Sequence, residues 1–354
     1  MKVAIVGATG NVGSALLRAL ERDERVREIV GIARRRPSVE LPKVTWRTAD
    51  IGRPDADLAG AFAGADVVVH LAWLIQPSRD EAVLEAVNVD GSRRVFEAAL
   101  AAGAGTLVFA SSVGAYSPGP KDRAVDESWP TDGIPTSAYS RHKAACERML
   151  DELEAAHPHV RVVRMRPGLI FQRSAASEIR RYFLGPFMPN LLARPSLLPV
   201  VPRTPRLTFQ AVHADDVGEA YRRVIAERDV RGAFNLAADP VLDADELARV
   251  LHARAVPVPA GVLRGAADLS WRARLQPTDA GWVDLGLGVP VMDTTRARTE
   301  LGWEPRHSAG DALLELLDGM AHGAGGATPP MDAGAGGRFR RRELETAIGS
   351  RTGV

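Results

Sequence analysis

The stretch "SAYSRHKAA" at residues 137–145 carries Tyr139 and Lys143 four positions apart, so on a helix their side chains share one face. A phenol beside an ammonium is a proton-transfer device. Tyrosine ionises near pH 10 and is a poor base at neutrality, but a neighbouring positive charge favours the phenolate. The lysine also brings donors that can hold hydroxyl groups. Lysine occurs only at positions 2, 43, 121 and 143, and tyrosine only four times, in a chain with 41 arginines. At that frequency a Tyr-x-x-x-Lys arises by chance in about one such sequence in twenty, so the pair needs company. A lysine kept at 143 in an arginine-using chain fits a role for a compact point charge. Ser111 and Ser112, which close "LVFASS", supply hydroxyls able to hold a substrate oxygen against the tyrosine.

A second group of residues opens the chain. "VGATGNVG" sets Gly7, Gly10 and Gly13 between an apolar run and a helical pattern. Glycine permits positive φ and close backbone approach, and the helix N-terminus beyond it attracts a pyrophosphate. This spacing after a first strand predicts a dinucleotide site. The second strand closes as "GIARRRP", with Ala33 where an acid would bond ribose hydroxyls and Arg34, Arg35 and Arg36 behind it. An arginine there accommodates a 2′-phosphate, so NADP is favoured and NAD is the alternative. Asp50, at the end of the third strand, is placed to meet the adenine edge or to cap a helix.

These residues need elements to hold them. Apolar runs at 2–7, 28–33, 43–50, 65–72, 106–112 and 160–168 alternate with helical patterns at 11–22, 55–63, 80–102 and 137–156. That alternation predicts an α/β fold with a doubly wound parallel sheet. Ligands then collect beyond the carboxyl ends of the strands, where Ser111, Ser112 and the start of the Tyr139 helix also lie. Residues 1–168 are expected to form the dinucleotide-binding domain, with segments around 208–240 returning to it. The six prolines within 184–208 break the pattern, and 169–320 reads as a smaller substrate-binding region. "HGAGGATPPMDAGAGG" and the basic cluster "RFRRRE" place 321–354 in a low-complexity, disordered, solvated tail.

Composition excludes several function classes. With 45 basic and 44 acidic residues the formal charge is +1, which argues against nucleic acid or a membrane surface as partner. The single cysteine, Cys146, rules out an intrachain disulfide framework. No run of eighteen apolar residues occurs and "MKVAIVGATG" lacks the features of a signal peptide, so a cytoplasmic location is expected. His213 before Asp215 and Asp216 reads as a strand end and helix cap, and no metal site is expected. His70 and Asn88 read as packed, structural residues. Trp73, Phe171 and Tyr182 are candidate walls of a pocket for a small-molecule substrate.

Taken together, "GATGNVG", "DVVVHLA", "NVDGSRRVFEAA", "VFASSVGAY", "YSRHK", "RMRPG", "VHADDVGEAY" and "TTRARTELGWEPRHS" resemble the extended short-chain dehydrogenases/reductases, the group that contains NAD-dependent epimerase/dehydratase-type proteins. The resemblance spans most of 1–320 and implies a Rossmann fold with a C-terminal substrate domain. It implies Tyr139 as general acid/base, Lys143 as ribose ligand and phenolate stabiliser, and Ser112, which immediately precedes "VGAY", as donor to the substrate oxygen. The candidate cofactor set is Gly7, Thr9, Gly10, Asn11, Val12, Gly13, Arg34, Asp50, Ile51, Leu71, Ala72, Tyr139, Lys143 and Pro167. Helices 80–102 and 137–156 are those the family uses for dimer packing, which makes a homodimer an expectation.

Departures from the family pattern narrow the reaction. Sugar-nucleotide dehydratases of this group carry an Asp-Glu pair where this chain has Val113 and Gly114. The epimerases usually have an asparagine at the place of Pro167 and an arginine at the place of Phe209, leaving Arg203 or Arg206 as substitutes. The expected activity is therefore hydride transfer between a nicotinamide and an alcohol or carbonyl carbon of a small molecule. A sugar-nucleotide epimerase with retained NAD is the first alternative and a non-catalytic NADP sensor the second.

Overall fold

The computed structural model describes residues 1–75, 79–185 and 190–336. Seven parallel strands form the central sheet: β1 (Lys2–Val6), β2 (Glu28–Ala33), β3 (Val44–Thr48), β4 (Val67–His70), β5 (Thr106–Ala110), β6 (Arg161–Pro167) and β7 (Gly232–Leu236). Their order is β7-β6-β5-β4-β1-β2-β3. Every residue of β4 and β6 is buried, because helices cover both faces of the sheet. That double cover is why a strand such as Val67–His70 reads as an apolar run rather than an alternating one, whereas Arg161–Pro167 buries three arginines. Helices Asn11–Glu21 and Ala214–Ala226 pack Leu16, Leu20, Val217 and Val224 on one face. Helices Leu58–Phe62, Asp90–Ala101 and Ala138–Ala156 pack Phe62, Phe96 and Leu150 on the other. Strand order reverses between β1 and β4, and the crevice at such a reversal is where ligands bind.

The helix expected over 80–102 is two helices, Glu81–Asn88 and Asp90–Ala101, hinged at Val89. Gly91 explains the close packing there: a Cβ on it would lie 3.0 Å from Ile51 Cγ1. Its glycine therefore serves helix-to-loop contact and is not a tolerated defect.

The C-terminal region is a smaller assembly. Strand Phe209–His213 pairs parallel with Leu169–Phe171 and antiparallel with Ala238–Leu242. Helix Ala309–Ala321 covers this sheet through Leu316 and Met320. Val200–Arg203 pairs with Arg254–Pro257, and helices Ala260–Arg272 and Ala280–Gly288 follow. Strand Gly232–Leu236 pairs with Arg161–Pro167 in the main sheet, and helix Ala214–Ala226 packs against that sheet.

Residues 322–336 depart from the expected disordered tail. Ala324 donates its N–H to the Gly319 carbonyl (2.7 Å), and Ser177 donates to the Ala324 carbonyl (3.1 Å). Met331 and Thr328 are buried. A Cβ on Gly325 would lie 2.6 Å from the Met331 carbonyl oxygen, so the glycines here allow backbone to press on backbone. Composition was a poor guide because small residues serve tight packing as well as flexibility. Residues 337–354, including "RFRRRE", lie outside the described residues. Among the described residues no helix is long and apolar enough to cross a membrane.

Candidate active site

The turn after β1 is shaped by its glycines. Gly7 has φ +86°, and a Cβ there would lie 2.6 Å from the Ala72 nitrogen. A Cβ on Gly13 would lie 2.5 Å from the Gly7 carbonyl oxygen, so the helix can start this close to the strand only with glycine. Gly10 is the N-cap of helix Asn11–Glu21 and provides no side-chain cap. The first-turn amides of Asn11, Val12 and Gly13 have no intrahelical acceptors, which suits them to an anionic pyrophosphate. This cradle fits a dinucleotide. Leu71 donates its N–H to the Val6 carbonyl (2.8 Å), fixing Leu71 and Ala72 beneath the turn. Asn11 Nδ2 donates to the Ile170 carbonyl (3.1 Å), and Asn11 Oδ1 accepts from Gln172 (2.6 Å). Thr9 and Ile51 are buried, and Pro167 ends β6 beside Leu236. Arg34, Arg35 and Arg36 follow β2 and are exposed.

Asp50 neither caps a helix nor stands idle. Its Oδ1 accepts from the Gly52 N–H (3.0 Å) and closes a turn. The next helix, Leu58–Phe62, is capped by Asp57.

Ser112, Tyr139 and Lys143 come together at the carboxyl edge of β5. Ser112 Oγ accepts from the Gly114 N–H (3.0 Å), and its hydroxyl acts to lower the Tyr139 phenol. Ser140 ties the helix to this loop by donating to the Gly114 carbonyl and accepting from the Ile134 N–H. Lys143 is buried; its Nζ donates to the Ala110 carbonyl (2.6 Å) and lies 3.4 Å from the Trp73 ring centre. Ser111 turns away and donates to Glu147 Oε1 (2.5 Å). The structure thus separates the two serines, which sequence chemistry alone left equivalent.

Electrostatics departs from expectation. Burial pushes the Tyr139 phenol up to about 12, against the effect of the Ser112 hydroxyl, and pushes Lys143 down to about 7. The ammonium was expected to lower the phenol. Desolvation prevails because the Lys143 amine faces the Ala110 carbonyl and the Trp73 ring.

Three features escaped the sequence. Gly114 makes room for the tyrosine: a Cβ there would lie 2.7 Å from Tyr139 Cε1. Glu147, one helical turn beyond Lys143 and buried, accepts from Arg166 Nε (2.9 Å) and Nη2 (3.1 Å). Burial raises this carboxyl, but Arg166, Ser111 and Arg164 together outweigh that and hold it below its ordinary value. The four-residue spacing from Lys143 was the available signal. Trp282 lies 5.3 Å from the Tyr139 ring and meets Phe183 edge-on at 4.9 Å. Nothing in its local pattern distinguishes it from a core aromatic.

Of the expected walls, Trp73 lies beside Tyr139 (6.0 Å), whereas Phe171 packs with Ala176 and Leu242 in the core, and Tyr182 is buried. His70 is packed between Phe96 and Phe109 with Nε2 2.8 Å from Ser92 Oγ, and burial pushes it down to about 3. Asn88 clamps the Leu74 backbone through both amide atoms (2.7 and 3.0 Å). His213 accepts from the Asp215 N–H (3.2 Å), capping its helix. Among the described residues no group of three or more His, Cys, Asp or Glu could hold a metal ion. Arg203 is paired with Asp245, and Arg206 donates to the carbonyls of Gly119 (2.7 Å) and Leu287 (3.2 Å).

Residues 3–237 match the model of the NAD dependent epimerase/dehydratase family. The chain belongs to that family. An uncharacterized Mycobacterium tuberculosis protein is 28% identical over 317 residues, covering 89% of this chain and 30% of that protein. The chain thus spans about a third of the length of the first curated relatives it matches. A ceramide reductase of Caulobacter vibrioides is 34% identical over 215 residues, covering 60% of this chain and 57% of the relative. Among solved structures, a dTDP-glucose 4,6-dehydratase from Streptomyces venezuelae with NAD and TYD bound superposes with a TM-score of 0.66. It is 20% identical and covers 91% of this chain and 97% of that one. At that identity the likeness establishes the fold of the family and no more.

Proposed function

We propose that this family member is an NAD(P)-dependent reductase or alcohol dehydrogenase acting on a small molecule with an apolar body. The observation that carries the reading is the convergence of Ser112, Tyr139 and Lys143 beside the glycine turn, next to the rings of Trp73 and Trp282. The bound nicotinamide supplies or accepts the hydride. Tyr139, held protonated at neutral pH, donates its proton to the substrate oxygen in the reductive direction. Ser112 holds that oxygen against the phenol, and Lys143 is placed to hold ribose hydroxyls.

Three observations weigh against a sugar nucleotide. Arg203 and Arg206, the candidate substitutes for the epimerases' arginine, are committed to Asp245 and to backbone carbonyls. At 114 the phenol ring fills the space a dehydratase's carboxylate would need. Trp73 and Trp282 surround the phenol with apolar surface, which suits a carbonyl on a hydrophobic carrier. The likeness to a ceramide reductase supports the same direction.

A screen of apolar carbonyl compounds and nucleotide sugars with NADPH and NADH tests the reading. Turnover of an apolar carbonyl, lowered about a hundredfold or more by Tyr139→Phe, is the expected result. Activity on nucleotide sugars alone, or full activity of Tyr139→Phe, refutes it. The exposed arginines after β2 support NADP; Arg34→Asp should weaken NADP binding about tenfold or more with little effect on NAD.

A further inference from the structure

We infer that residues 322–336 form a strap that completes the dinucleotide cradle, with Thr328 as the residue that positions the glycine turn. The segment lies beyond the family match at 3–237 and reads as a flexible tail, yet it reaches the turn directly. Thr328 Oγ1 donates to the Thr9 carbonyl (2.7 Å), and both residues are buried. On the other side of the same peptide unit, the Gly10 N–H donates to the Gly7 carbonyl (3.1 Å). Both polar ends of the Thr9–Gly10 peptide are thereby engaged, which fixes its plane and leaves the first-turn amides of the following helix as the ones facing outward for phosphate.

The strap is anchored independently of the turn. Arg181, itself buried, donates Nη1 to the Asp332 carbonyl (3.0 Å) and Nη2 to the Pro330 carbonyl (2.8 Å). Met331 is buried with its sulfur 3.9 Å from Ser14 Oγ on the first turn of helix Asn11–Glu21. Arg181 belongs to the substrate-binding region, whereas Thr9 and Ser14 belong to the cradle. The strap therefore bridges the two parts, and anything that orders it assists cofactor binding. By reciprocity, bound cofactor must order the strap.

Thr328→Val keeps the shape and removes the donor. Its dissociation constants for NADP and NAD, measured by calorimetry on the full chain, should rise about three- to tenfold, the range of one hydrogen bond. Turnover at saturating cofactor and KM for the carbonyl substrate should stay near wild type, and Thr328→Ser should restore binding. An unchanged dissociation constant for Thr328→Val overturns the inference. A serine variant as weak as the valine one overturns it too, since packing and not the hydroxyl would then be responsible. If Thr328→Val does not fold, hydrogen exchange on the wild-type chain decides. Amides of 324–336 should slow on addition of the cofactor, and unchanged exchange there refutes the strap.

Discussion

A Cβ built on Gly114 falls 2.7 Å from Cε1 of Tyr139, so the phenol ring occupies the volume that any side chain at 114 would need. The same glycine offers its N–H to Ser112 Oγ and its carbonyl to Ser140, linking the serine loop to the Tyr139 helix. Ring position and loop position are thus one constraint.

Gly114→Ala should displace the phenol by a fraction of an ångström to an ångström. A shift of that order at a reacting group lowers kcat by up to about a hundredfold. Cofactor affinity should be nearly unchanged, since the cradle is separate. Steady-state kinetics alongside calorimetric cofactor binding checks this. Wild-type kcat in Gly114→Ala would remove Tyr139 from the reacting position.

Lys143 gives the stability a pH signature. Its folded value of about 7 lies below the 10.5 of the free side chain. Between those values the unfolded chain binds more protons than the folded one, so this group's contribution to stability rises with pH. The penalty is complete below about 7 and relieved above it. Relative to Lys143→Met, the cofactor-free wild type should gain up to about 1.4 kcal/mol per pH unit from pH 7 to 9. Urea unfolding of both proteins at pH 7, 8 and 9 measures the difference. A pH-independent difference would place the amine in contact with water.

The sheet, its crossover helices and the placing of Tyr139 and Lys143 on one helix were legible because each depends on local pattern. Buried runs such as "ADVVVHLA" mark strands covered on both faces, and a four-residue spacing survives into any helix. Trp282, Gly114 and Thr328 were not legible, because each matters through a contact with a residue more than twenty positions away. The strap misled composition for a related reason: glycine reports backbone freedom, not whether a neighbour uses it. The phenol's upward shift was missed because burial, unlike the charge of Lys143, cannot be read from spacing.

Glu147 lies buried behind the active site between Arg166 and Arg164 (Nε–Oε2 3.0 Å), with Ser111 bonded to the carboxylate and Tyr116 to Arg166. Removing the Glu147 charge leaves Arg166 without a carboxylate in a dry interior, whereas Arg164 keeps Asp151 and Glu154. Glu147→Gln should therefore destabilise the fold by about 3–5 kcal/mol, read as a lower urea midpoint. Replacing both partners, Glu147→Met with Arg166→Met, should recover much of that loss. A double variant no more stable than the single would show that the side-chain network, and not the unpaired charge, sets the cost.

Trp282 is the residue on which the substrate reading can be tested most directly. It is carried by helix Ala280–Gly288, whose start presses on the segment leading into the Tyr139 helix: a Cβ on Gly281 would lie 2.5 Å from the Thr136 carbonyl oxygen. This contact fixes the indole 5.3 Å from the Tyr139 ring, with Phe183 behind it. An apolar substrate held against that surface loses its burial when the indole is removed. Trp282→Ala should raise KM for apolar carbonyls about tenfold or more, in keeping with the cost of losing a large aromatic contact. Trp282→Phe should keep most of the affinity, because a ring still covers the phenol. A small hydrophilic carbonyl gains little from the wall, so its KM should move by less than about twofold. If Trp282→Ala improves turnover of bulky substrates and leaves their KM unchanged, the indole acts as an obstruction and the pocket lies on the Trp73 side of Tyr139.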